Sequence, residues 1–155
     1  MKSEKQDWQT PPEFLELVRR VGPIALDPCT TDENPCGATN AFFTAEYTGL
    51  VPDWRAIADG GLIYCNPPYS DMDAWAAKIA DEGMRGCEII SLTPARTDTR
   101  WFRRMCTADQ MCFWRGRIKF VGAKAAAPFP SLVCYWGPRP DRFKEVFGPF
   151  GWCPL

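Results

Sequence analysis

The run Gly61-Leu62-Ile63-Tyr64-Cys65-Asn66-Pro67-Pro68-Tyr69-Ser70 limits the fold more than any other stretch of the chain. Its apolar half reads as a short buried strand, which the Pro-Pro pair ends abruptly. Proline cannot donate to a sheet ladder, so the strand finishes at or before Asn66. An amide, two rigid residues and an aromatic ring are thereby held at the carboxyl end of a strand. In an open α/β sheet that is where ligands bind. A plain strand-to-loop turn with Tyr69 capping the core would use the same letters, but it would not need this combination of groups.

Other apolar runs repeat the pattern. Ile24-Ala25-Leu26 reads as a strand broken by Asp27-Pro28-Cys29, and the strand that opens at Glu88 ends at Thr93-Pro94. Between them lie helical patterns. Phe14, Leu17, Val18 and Val21 recur at helical spacing after Thr10 as N-cap, Pro11 at the first helical position and Glu13 completing a capping box. Trp75, Ile79 and Ala80 mark a second helix over 71–84, and further helices are expected over about 97–106 and 140–147. Residues 111–114 and 117–120 read as a hairpin around Gly116, and 131–136 as a last apolar strand. Strand–helix alternation of this kind predicts an α/β fold, mostly parallel with an antiparallel edge, in one domain over 1–155 with residues 1–9 loosely held.

Composition narrows the chemistry. Apolar residues make up 46% of 155, yet no apolar run is long enough to span a bilayer, and no signal peptide opens the chain, so a cytoplasmic location is expected. There are eight cysteines but no Cys-x-x-Cys pair and no histidine. Metal binding is therefore not expected, the cysteines read as reduced core residues, and histidine-based acid–base chemistry is excluded.

An Asn-Pro-Pro-Tyr turn suits one particular reaction. The exocyclic amine of adenine or cytosine is a poor nucleophile because its lone pair is delocalised into the ring. A side-chain amide oxygen (Asn66) and a rigid backbone carbonyl (Pro67) can both accept its hydrogens, which favours the geometry that frees the lone pair. Pro68 stiffens the turn, and Tyr69 offers a flat face for a base taken out of its stack. The motif resembles that of the amino-methyltransferases, which methylate exocyclic nitrogens with S-adenosylmethionine.

The set of segments is more specific than the motif. Asp-Trp-Gln-Thr-Pro near the start, Leu-Asp-Pro-Cys, Gly-Leu-x-x-Asp-Trp, Asn-Pro-Pro-Tyr-Ser, Leu-Thr-Pro-Ala-Arg and Gly-Arg-Ile-Lys-Phe follow in order. This order is similar to that of the small phage-type DNA adenine methyltransferases of the Dam-like group. The resemblance spans about 7–136. It implies a Rossmann-like methyltransferase sheet, S-adenosylmethionine as cofactor, adenine in double-stranded DNA as acceptor, and action in a bacterial or phage-infected cell. It also implies that Trp8, Thr10 and Pro11 meet the methionine end of the cofactor, that Asp27 and Pro28 meet its ammonium or ribose, and that Asp53 meets its adenine amine. Asp53 reads equally well as a cap for the following turn. The usual glycine-rich loop after the first strand is absent, replaced by a polar loop over 30–40.

Charge is unevenly spread. The whole chain has a net charge of −1, but residues 94–124 carry Arg96, Arg100, Arg103, Arg104, Arg115, Arg117, Lys119 and Lys124 against Asp98 and Asp109. With Trp101, Phe102, Trp114 and Phe120 interleaved, this segment suits a phosphate backbone and splayed bases, with Arg96, Arg100, Arg115, Arg117, Lys119 and Phe120 as the expected DNA contacts. The alternatives from sequence are another acceptor (a cytosine amine, RNA or a protein glutamine) or a DNA-binding relic without turnover.

Overall fold

The computed structural model describes residues 8–155. Residues 1–7 lie outside the described residues. Trp8 and Gln9, expected to be loosely held, are tied down: the Asn66 amide donates to the Trp8 carbonyl, and the Val121 backbone N–H donates to the Gln9 carbonyl at 3.0 Å.

Helix α1 (Pro12–Val21) buries Phe14, Leu15, Leu17, Val18 and Val21 on one face. It starts without a capping box: its N-cap is Pro11, and no side chain caps it. Thr10 is withdrawn from that duty because its hydroxyl bonds instead to Tyr64 and Asn66. Strand β1 (Ile24–Asp27) is followed by β2 (Ala41–Phe42), the short helix α2 (Trp54–Ala58) and β3 (Leu62–Cys65). A 3-10 turn over Tyr69–Asp71 leads into α3 (Met72–Met84), then β4 (Glu88–Pro94) and α4 (Phe102–Met105). Strands β5 (Gln110–Trp114) and β6 (Ser131–Trp136), α5 (Pro140–Phe147), a second 3-10 turn over Gly148–Phe150 and β7 (Gly151–Trp152) complete the order.

The strands form one seven-stranded sheet in the order β2-β1-β3-β4-β6-β5-β7. β2, β1, β3 and β4 pair in parallel, whereas β6, β5 and β7 are joined by antiparallel pairings. The parallel strands β1 and β3 are buried throughout, as expected of a sheet covered on both faces. Neighbouring side chains on β6 show the two covers. Tyr135 stacks on Phe143 of α5, while Trp136 lies against Gly83 of α3 and donates to Thr107 beyond α4. Phe14 joins α1 to the α5 side through Phe147 and Tyr64. At 2% exposure, its burial contributes about 1.5–3 kcal/mol.

The expected hairpin is not formed. Residues 117–120 are not a strand, because the two edges of β5 are taken by β6 and β7. Ile118 and Phe120 turn inward instead, at 5% and 2% exposure. The helix expected over 97–106 is regular only over Phe102–Met105. No described helix is long and apolar enough to cross a membrane.

Candidate active site

The chain leaves β1 for β2 on one side and later returns to β3 on the other, so the strand order reverses between β1 and β3. Loops that leave the carboxyl ends of such strands diverge and open a crevice. A cavity of about 570 Å³ lies at this edge, walled by residues following β1, β2 and β3 and by the segment Trp8-Gln9-Thr10.

Asn66 stands one residue beyond β3, where the strand gives out at Pro67. Its amide nitrogen donates one hydrogen to the Trp8 carbonyl and the other to Thr10 Oγ1 at 3.1 Å. Both donors being used, the orientation of the amide is fixed; the reverse would set its oxygen against the Trp8 carbonyl oxygen. Oδ1 accepts from the Tyr69 hydroxyl at 2.7 Å and keeps a second lone pair. Asn66, Pro67 and Pro68 all line the cavity.

Tyr69 is buried and does not border the cavity. Its ring meets Phe129 edge-on at 5.5 Å and Phe120 at 6.4 Å, and both of these rings meet Trp8. Burial pushes the Tyr69 phenol well above its ordinary pKa, so it remains a proton donor to Asn66.

Asp27 closes β1 and is 4% exposed. Its Oδ1 accepts the Cys29 backbone N–H at 3.1 Å, and its Oδ2 accepts the Cys36 thiol at 3.2 Å. Burial dominates over these hydrogen bonds and pushes its pKa up to about 7. Among the described residues no cation pairs with this carboxylate. Burial and the neighbouring Asp27 together push the Cys36 thiol far up, so it stays protonated.

The remaining expected site residues divide into two groups. Trp8, Thr10 and Pro28 line the cavity with Asn66 and Asp27, and the Arg96 guanidinium stands 5.8 Å over the Phe129 ring, beside Tyr69. Pro11 and Asp53 do not border the cavity: Pro11 caps α1, and the Asp53 carboxylate caps α2 by accepting from the N–H groups of Arg55 and Ala56. Arg100 lines a separate open groove of about 580 Å³ beside α3, with Trp101, Arg103 and Arg104. None of these three arginines makes an ion pair or side-chain hydrogen bond among the described residues. Arg115 donates to the Pro149 carbonyl at 3.0 Å, Arg117 and Lys119 are exposed, and Phe120 faces inward.

Tyr64, Cys36 and Phe129 join the site without having been anticipated. Tyr64 reads from sequence only as one more apolar residue of a strand, and Cys36 lies in a polar loop whose path the letters do not disclose. No group of three or more His, Cys, Asp or Glu side chains among the described residues could hold a metal.

The fold and the cavity define an α/β protein with a crevice at the carboxyl edge of its parallel strands, beside an asparagine of fixed orientation. The profile described as DNA N-6-adenine-methyltransferase (Dam) matches residues 1–131, and the chain belongs to that family. It is also similar to a DNA N-6-adenine-methyltransferase of Escherichia phage T1, with 29% identity over 96 residues. That match takes in 61% of this chain but only 38% of the phage protein, so the chain spans well under half of that relative.

Proposed function

We propose that this chain is a single methyltransferase domain that transfers a methyl group from S-adenosylmethionine to the exocyclic amine of adenine in DNA. The observation that carries the reading is the Asn66 amide, whose two hydrogens are both engaged and whose oxygen is thereby held as an acceptor at the cavity edge.

The cavity suits the cofactor. Asp27 presents a carboxylate without a cationic partner among the described residues, at the strand end where an ammonium or ribose hydroxyls would satisfy it. Trp8, Thr10 and Pro28 would share in holding it, with Pro11 supporting the segment from behind. Bound there, S-adenosylmethionine supplies an electrophilic methyl group on a sulfonium sulfur.

The protein's part is positional. Asn66 Oδ1 and the Pro67 carbonyl accept the two amine hydrogens of the target adenine, which turns the nitrogen lone pair toward the methyl group. Methyl transfer would form the N–C bond as the sulfonium S–C bond breaks, and the surplus amine proton would pass to solvent through the cavity. Pro67 and Pro68 keep the turn from relaxing during this step. The base must first leave the duplex. To lie against Tyr69 it must displace Phe120 or Phe129, which belong to the irregular stretch 115–130 between β5 and β6. Arg96 beside this aromatic group, and Arg100, Arg103 and Arg104, which make no ion pair among the described residues, suit flanking phosphates; exposed Arg117 and Lys119 would add to them. Arg115 holds the Pro149 carbonyl and contributes less.

Incubation with DNA and S-adenosylmethionine, followed by digestion and nucleoside mass spectrometry, tests the reading. N6-methyladenine is expected. Methylated cytosine would move the acceptor, and no methylated nucleoside would remove the enzymatic reading.

A further inference from the structure

Tyr64 is the penultimate residue of β3, two places before Asn66, and it is 2% exposed. A strand alternates its side chains, so Tyr64 points to the α1 side, where its ring meets Phe14 at 6.2 Å between centroids. Its hydroxyl has one hydrogen-bond partner among the described residues, Thr10 Oγ1 at 2.5 Å. Thr10 Oγ1 is also the acceptor for an amide hydrogen of Asn66.

Either hydroxyl can donate in the Tyr64–Thr10 bond, and both residues border the cavity, so the hydrogen not used between them can reach it. With Tyr64 donating, the phenol hydrogen and the Asn66 amide hydrogen occupy the two lone pairs of Thr10 Oγ1. The hydrogen of Thr10 itself is then left for the cavity that this residue lines.

We propose that Tyr64 is a positioning residue for methyl transfer, fixing Thr10 Oγ1 so that it holds the Asn66 amide in the orientation that presents Oδ1. This rests on the reading of Asn66 as the acceptor of the target amine. The Tyr64 ring is locked by burial in the sheet, whereas Trp8 and Thr10 belong to an irregular segment ahead of α1. The hydrogen-bond chain therefore transmits the rigidity of β3 to a side chain beyond its end. Removing the phenol hydroxyl leaves the ring packing in place but lets the Thr10 hydroxyl rotate, and its second acceptor position is no longer reserved for Asn66.

The test is a double-mutant cycle on single-turnover methyl transfer with Tyr64→Phe and Asn66→Ala, alongside binding of S-adenosylmethionine and DNA. Tyr64→Phe is expected to slow transfer about twofold to tenfold, the worth of one hydrogen bond, with both affinities unchanged. In the Asn66→Ala background the same substitution should cost nothing further. Thr10→Val, which cuts the chain at its middle but also removes a polar group from the cavity wall, should slow transfer at saturating S-adenosylmethionine, and Thr10→Ser should restore it. Wild-type transfer by Tyr64→Phe, or an equal loss in both backgrounds, would overturn the proposal while leaving Asn66 as the acceptor. Wild-type transfer by Asn66→Ala alone would instead overturn the functional reading beneath it. Should Tyr64→Phe fold poorly, the Thr10→Val and Thr10→Ser pair carries the same decision.

Discussion

The Cys36 thiol donates a hydrogen bond to Asp27 Oδ2 at 3.2 Å, tying the polar loop after β1 back onto the end of that strand. The bond matters because Asp27 is, among the described residues, an almost wholly buried carboxylate without a cationic partner, so its protonation state bears on stability.

Apo-protein stability should fall as pH rises from about 4 to about 7. Burial raises Asp27 from its ordinary 3.8 to about 7 in the folded chain. The folded state therefore holds a proton that the unfolded state releases between those values. The contribution is fully present below about pH 4, is lost progressively up to about pH 7, and reaches on the order of a few kcal/mol. Asp27→Asn should flatten this slope, measured as the difference in Tm between pH 5 and pH 8.

The same substitution should weaken S-adenosylmethionine while stabilising the apo fold at pH 8. A cationic ligand gains from Asp27 only when it is ionised, so wild-type affinity should rise as pH passes through about 7, and Asp27→Asn affinity should not. Calorimetric titration at pH 6 and pH 8 reads both. A pH-independent wild-type affinity would remove Asp27 from the cofactor site.

Gly49→Ala should narrow the cavity from outside. A Cβ on Gly49 would collide with the Pro28 carbonyl oxygen, and the Gly49 carbonyl is in turn held by the buried Trp54 indole N–H at 2.7 Å. The loop cannot retreat freely, so overpacking of about 1–3 kcal/mol is expected, with weaker cofactor binding. Chemical denaturation and cofactor titration together measure this.

Much of this arrangement was legible in the letters, and the failures have physical causes. Strands such as Ser131–Trp136 and the helix Pro140–Phe147 are set by local apolar patterning and by proline at a helix start, which need no partner to be read. The site turn was legible for the same reason: Pro67 and Pro68 end a strand wherever they occur. The hairpin at Gly116 failed because strand pairing is decided by which edge is vacant, and Gly151–Trp152, far along the chain, fills the edge of β5. The capping box at Thr10 failed because a tertiary bond to Tyr64 outcompeted a local one. Asp53 was open between two roles, and its geometry is that of a helix cap.

DNA affinity should fall steeply with salt, and the groove beside α3 should account for part of the slope. Replacing Arg100, Arg103 and Arg104 with Gln is expected to lower the slope of log K against log salt by about one per lost phosphate contact, for every DNA sequence alike. An unchanged slope would make these side chains a solvated face.

The most direct test of the account is single-turnover methyl transfer by Asn66→Ala, with DNA and cofactor affinities measured on the same preparation. Loss of a preorganised acceptor in an enclosed site should slow transfer roughly a hundredfold to a thousandfold while both affinities stay near wild type. Transfer by Asn66→Ala at the wild-type rate would contradict the assignment of Asn66 and of the turn that holds it.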